Sequence, residues 1–151
     1  MTALRFTVPG PPVGKARARV VLNRGKVRAF TPDKTARFEN LVRLAFVEKY
    51  PGHVPLDGPL ALQVTAYFEP PKSMRFKSPA EETHHTKRPD GDNICKAISD
   101  GLNGVAYKDD SQLSHIIIGK RYSYTPRTEV RIHAISPGNR ETNKSHKEAQ
   151  S

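Results

Sequence analysis

The chain has 151 residues, enough for one domain with a modest core, and its 25 Lys and Arg against 15 Asp and Glu give a net charge of +10. No apolar run approaches the ~20 residues of a membrane span, and Met1 to Pro12 has no signal-type apolar segment. The single Cys95 excludes an internal disulfide and fits a reducing compartment, so the chain reads as a cytoplasmic protein with a polyanionic partner.

Residues 4–8 alternate apolar and polar, as a strand does, and Pro9-Gly10-Pro11-Pro12 ends it. Residues 15–30 predict a basic hairpin with its turn at Asn23-Arg24-Gly25-Lys26. The first thirty residues hold seven Lys or Arg and no acid. Of these, Lys15, Arg17, Arg19, Arg24, Lys26 and Arg28 suit phosphate contact. Thr31 is the expected cap of a helix, with Pro32 at its first position. Phe38, Leu41, Val42, Ala45 and Phe46 then form one apolar face, and the helix ends near Tyr50. Residues 60–68 alternate as a half-buried strand. Residues 69–89 show no periodicity and read as a mobile basic loop carrying Lys72, Arg75, Lys77, Lys87 and Arg88, with an exposed His84-His85 pair. A second helix spans about 91–103. Ile94, Ala97, Ile98, Gly101 and Leu102 make its core stripe, and Asp92, Lys96, Ser99 or Asp100, and Asn103 its polar face. Cys95 fits a small buried side chain beside that stripe. Residues 113–123 and 128–135 predict two further strands. The polar tail 137–151 predicts disorder, leaving 1–136 as the domain. The expected fold is α+β: a mixed sheet of about four or five strands with two main helices. Phe30, Tyr67 and Tyr107 are candidates for an interface or base contact, with core packing as the plainer role.

The chemistry concentrates at one place. Asp90 and Asp92 bracket a helix start, Lys96 follows one turn on, and Asp109-Asp110 stands after a short glycine-containing loop. A cap, an i,i+4 ion pair between Asp92 and Lys96, and a turn at Asp109-Asp110 explain each acid singly. A cap needs only one Asp, however, and a turn rarely needs two. Hard carboxylate oxygens gathered in a basic protein suit Mg²⁺ beside a polyanion. An EF-hand fails because Ile94 and Cys95 stand where a ligand and the required glycine belong. A zinc site from His84, His85 and Cys95 lacks paired ligands at finger spacing.

The run from Arg88 through Pro89-Asp90-Gly91-Asp92-Asn93-Ile94-Cys95-Lys96 to Asp109-Asp110-Ser111-Gln112 resembles the signature of the RusA family of Holliday junction resolvases. The likeness is specific over 88–112 and looser over most of 4–135, including Val8-Pro9-Gly10 and the Lys15, Arg17, Arg19 cluster. It implies a small homodimeric, Mg²⁺-dependent endonuclease, with Mn²⁺ as a substitute ion, that cuts four-way DNA junctions in recombination and repair. A phage or prophage origin fits such a family. By position, the family's catalytic and metal-holding acids fall on Asp90, Asp92 and Asp110, its essential lysine on Lys96, and a supporting acid on Asp109. The connection from Leu102 to Lys108 is slightly shorter than the family pattern, which leaves the choice between Asp109 and Asp110 open. The alternatives are a non-catalytic basic nucleic-acid-binding protein and a nuclease for other branched DNA such as forks or flaps.

Overall fold

The computed structural model describes residues 3–17, 19–30 and 32–136. The expected tail from 137, Thr31, and the side chains of Arg19 and Phe30 lie outside the described residues. The elements run β1 (Leu4–Pro9), β2 (Arg19–Asn23), β3 (Lys26–Phe30), α1 (Asp33–Lys49), β4 (Leu60–Phe68), a 3₁₀ turn Ala80–Glu82, α2 (Gly91–Leu102), a 3₁₀ turn Asp110–Gln112, β5 (Leu113–Tyr122) and β6 (Arg127–Ala134). One mixed sheet has the order β1-β6-β4-β5, and β2 and β3 form a separate two-stranded ribbon. The expected α+β class holds.

Period-2 patterning decides which face of the sheet carries the core. Phe6 and Val8 of β1, Leu62, Val64 and Ala66 of β4, and Val130 and Ile132 of β6 are all buried. The register aligns them in rows, with Val64 opposite both Val130 and Ile118. Both helices supply the other wall: Phe38, Val42 and Phe46 from α1, and Ile94, Ala97, Ile98 and Leu102 from α2. The helices approach closely at Gly101. A Cβ there would stand 2.8 Å from the Glu39 carbonyl oxygen and 3.0 Å from Val42 Cβ. β4 and β5 run parallel, and α2 lies in the long crossover that such a pair requires. Arg24 and Gly25 both have positive φ, 51° and 75°, the type I′ geometry that a two-residue hairpin turn demands. The ribbon's Val20, Leu22 and Val27 are exposed together with Arg24, Lys26 and Arg28.

Three expectations need correction. The first helix starts at Asp33, with Pro32 at the capping position rather than the first helical one. Of Ser99 and Asp100, the two alternatives for the polar face, Ser99 is buried and Asp100 is half-buried; the Ser99 carbonyl accepts the hydroxyl of the fully buried Tyr107 at 2.7 Å. The 69–89 segment is not a free loop. His85 is buried, stacked on Phe68 with ring centroids 4.0 Å apart, while His84 alone of the pair is exposed. Glu81 pairs with Arg127 at 3.0 Å and fastens the same segment to β6. Among the described residues no helix is long and apolar enough to cross a membrane.

Candidate active site

Local sequence sets up α2 and its approach. Pro89 leads into Asp90, which stands at the helix N-cap in extended conformation. The stretch before it is held from two sides. Lys120 of β5 donates from Nζ to the carbonyl oxygens of Lys87 at 2.7 Å and Pro89 at 3.0 Å. Gly14 lies against Pro89 so closely that a Cβ would sit 2.8 Å from Pro89 Cβ. Lys15 N donates to Asn93 O at 2.8 Å, so the N-terminal arm is laced to the first turn of α2. Gly14, Lys15, Arg88, Pro89, Asp90 and Asn93 line an open cleft of about 340 Å³.

The acids divide into committed and uncommitted groups. Asp90 accepts no side-chain capping bond although it occupies the cap position. Asp92 and Lys96 are both exposed, and they form no ion pair with each other among the described residues. The plain explanations for those acids, a cap and a helix ion pair, are therefore not what the side chains do. Asp109 is committed. Its Oδ2 accepts from Ser111 N at 3.1 Å, and its own N–H donates to Gln112 Oε1 at 2.9 Å, a complete capping box. The bond from Ser111 holds the Asp109 carboxyl below its usual range. Asp110, next in the chain, has no hydrogen-bond or ion-pair partner among the described residues and is half-buried.

Electrostatics trace where the acids lie. Burial, and then the charge of Asp92, pushes the Cys95 thiol up to about 11, so Cys95 is a packed, unreactive thiol facing the Asp92 side of the helix. Burial, and then the charges of Asp110, Asp100 and Asp109, pushes the Tyr107 phenol up. Asp92 thus belongs to the N-terminal end of α2 and Asp110 to its C-terminal half. Among the described residues no three His, Cys, Asp or Glu side chains converge closely enough to hold a metal ion. The donor set nevertheless suits a hard divalent cation: Asp90, Asp92 and Asp110 present carboxylates with no other task.

The basic residues also separate. Arg17, Arg24, Lys26, Arg28, Lys72, Arg75, Lys77, Lys87 and Arg88 are exposed. Lys15 is not. Its ammonium bonds Glu39 Oε1 and Asp100 Oδ2, the latter at 3.0 Å, bridging α1 and α2. Burial would lower the Lys15 ammonium, yet the bonds to Glu39 and Asp100 outweigh it and hold it above the usual lysine value. Lys120 carries no motif in the sequence, and only the sheet register places it under the Asp90 approach.

Residues 9–133 match the endodeoxyribonuclease RusA family. The chain is also 37% identical over 142 residues to an uncharacterized protein, YqaN, of Bacillus subtilis (strain 168), covering 90% of this chain and 99% of that protein. The matched span takes in the four acids, Lys96 and both helices, and the chain belongs to the endodeoxyribonuclease RusA family.

Proposed function

We propose that this protein is a Mg²⁺-dependent, homodimeric endonuclease that resolves four-way DNA junctions by cutting two strands. One observation carries the reading: Asp90, Asp92 and Asp110 keep their carboxylates free at positions where capping or pairing would ordinarily use them. Asp90, Asp92 and Asp110 would hold the ion, which when bound supplies an activated water and offsets charge on the phosphate. Mn²⁺, with the same preference for oxygen donors, would substitute. Asp109 shapes the turn that presents Asp110 rather than ligating. Lys96, exposed on the same side of α2, contributes a positive charge to the transition state's excess negative charge. Lys120 fixes the Asp90 approach through two carbonyls. Arg17, Arg24, Lys26 and Arg28 of the arm and ribbon, with Lys72, Arg75, Lys77, Lys87 and Arg88 of the opposite loop, grip phosphates along the junction arms.

Incubation with labelled four-way, forked, flapped and linear DNA, with and without Mg²⁺, tests this. Paired, metal-dependent cuts in the four-way substrate are expected. Equal cutting of forks or flaps would move the substrate to other branched DNA. Binding without cleavage under every metal condition would leave only a basic DNA-binding protein.

A further inference from the structure

The β2–β3 ribbon has two chemically different faces. Leu22 lies opposite Val27 in the register, and Val20, two residues before Leu22, shares their side. Val21 lies opposite Arg28 and Asn23 opposite Lys26, on the reverse side. Val20, Leu22 and Val27 are 68%, 73% and 68% exposed, so the domain core does not use them. Three neighbouring apolar side chains open to solvent mark a contact surface. The ribbon is rooted beside the candidate site. Lys15 N donates to Asn93 O at 2.8 Å and Ala16 N to Thr35 Oγ1 at 3.2 Å, which fixes its entry to the first turns of both helices. Each strand has five residues. At about 3.3 Å per residue the turn stands roughly 16 Å beyond the start of β2.

Charge identifies what the apolar face meets. Arg24 sits in the turn, Lys26 and Arg28 line the reverse side, and no Asp or Glu occurs in the first thirty residues. Packing two such ribbons face to face would crowd their cations, whereas a polyanion neutralises them. An intact duplex offers phosphates but little apolar surface, because stacking covers the face of every base pair. A branch point differs: where the arms part, base pairs at the crossover give up a stacking neighbour easily. Apolar side chains enter such gaps between bases while cations hold the flanking phosphates. We infer that Val20, Leu22 and Val27 form a wedge that enters the branch point of a DNA junction and packs on the uncovered base faces, with Arg24, Lys26 and Arg28 on the adjoining phosphates. The wedge selects branched over linear DNA by a contact separate from the acids. It rests on the reading of branched DNA as the substrate.

Titrations of the full chain without a divalent ion keep binding apart from cutting. A four-way junction carries aminopurine at the branch point, and a closed linear duplex carries it mid-helix; its fluorescence rises when a neighbouring base no longer stacks on it. The wild type should brighten the junction probe and leave the linear one dark. Leu22→Thr with Val27→Thr keeps strand-forming side chains but makes the face polar. It should bind the linear duplex as the wild type does, leave the junction probe dark, and lose roughly tenfold to a hundredfold in junction affinity. Leu22→Ile with Val27→Ile keeps the face apolar and should match the wild type in every readout. Should the threonine pair not fold, as judged by circular dichroism, Leu22→Thr alone gives the same comparison. A dark junction probe with the wild type, a threonine variant equal to the wild type, or an equal loss of affinity on the linear duplex overturns the wedge. A dimer in sedimentation that the threonine pair breaks, with the probe dark throughout, assigns the face to a second copy and also overturns it. A wild type that opens the branch point but cuts nothing once Mg²⁺ is added sinks the nuclease reading and leaves the wedge standing.

Discussion

Asp109 and Gln112 cap each other across the turn that leads into β5, at 2.9 Å from the Asp109 N–H to Gln112 Oε1. Gln112 Nε2 in turn holds the carbonyls of Leu56 and Gly58, each at 2.9 Å. The turn is thereby locked to the segment before β4, and Asp109, not Asp110, is the acid of the pair engaged in the capping box. Asp110→Asn should bring cleavage to background with an unchanged melting temperature. Asp109→Ala should lower the melting temperature while cleavage per folded molecule persists. The reverse pattern, read from single-turnover rates beside thermal unfolding, would make Asp109 the ligand.

Lys96 and Lys15 are both lysines beside acids, and their substitutions should part company. Lys96 is exposed and unpaired with Asp92, so Lys96→Ala should leave the melting temperature unchanged and slow cleavage by roughly 10²–10³-fold. Lys15→Ala leaves Glu39 and Asp100 facing each other without a cation between the two helices. It should destabilise the fold by roughly 1–3 kcal/mol. Denaturant titration and cleavage rates on both variants check this, and a stable, inactive Lys15→Ala protein would speak against the structural role.

Junction binding should depend steeply on salt through the exposed ribbon. Replacing Arg24, Lys26 and Arg28 together should flatten the log–log salt slope by about 0.9 for each phosphate that the variant no longer neutralises. Lys15→Ala should leave the slope where it was, because its ammonium is occupied. Fluorescence titrations across salt concentrations measure both. An unchanged slope in the ribbon variant would move the DNA-binding surface to the 72–88 loop.

His85 predicts a pH dependence for the loop that leads to Asp90. Burial, and then the charge of Lys120, lowers its pKa, so the folded protein keeps the ring neutral. Stability from this group is complete above the ordinary histidine value of 6.5 and is lost as pH falls through the lower folded value. The wild-type melting temperature should drop below pH 6.5 relative to His85→Phe, which keeps the stack on Phe68 and cannot titrate. Parallel melting curves from pH 5 to 8 would mean that another group governs acid stability.

Period and punctuation were enough to locate most elements. Leu60 to Phe68 alternates because one face of a strand meets the core, and Ile94 to Leu102 repeats every three or four residues because one face of a helix does. Asn23 to Lys26 announces its turn because Gly25 tolerates positive φ. The acids were legible as a motif, but their expected convergence is not found: among the described residues no three His, Cys, Asp or Glu side chains come close enough to hold a metal ion. What the side chains do could not be read locally. Asp109 and Asp110 are identical in type and adjacent, and only Ser111 and Gln112 in place show that one is spent on capping. Lys15 reads as part of a basic arm until Glu39 and Asp100, 24 and 85 positions away in the chain, close around it. His85 follows an exposed twin, and the rings of Phe68 and Tyr122, distant in the chain, pack against it. Lys120 has no neighbour in sequence that hints at the Asp90 approach. Short-range pattern is set by backbone geometry and hydrophobic burial, which each residue expresses alone. Partnership is set by which distant segments the sheet register brings together, and only the tertiary structure decides that.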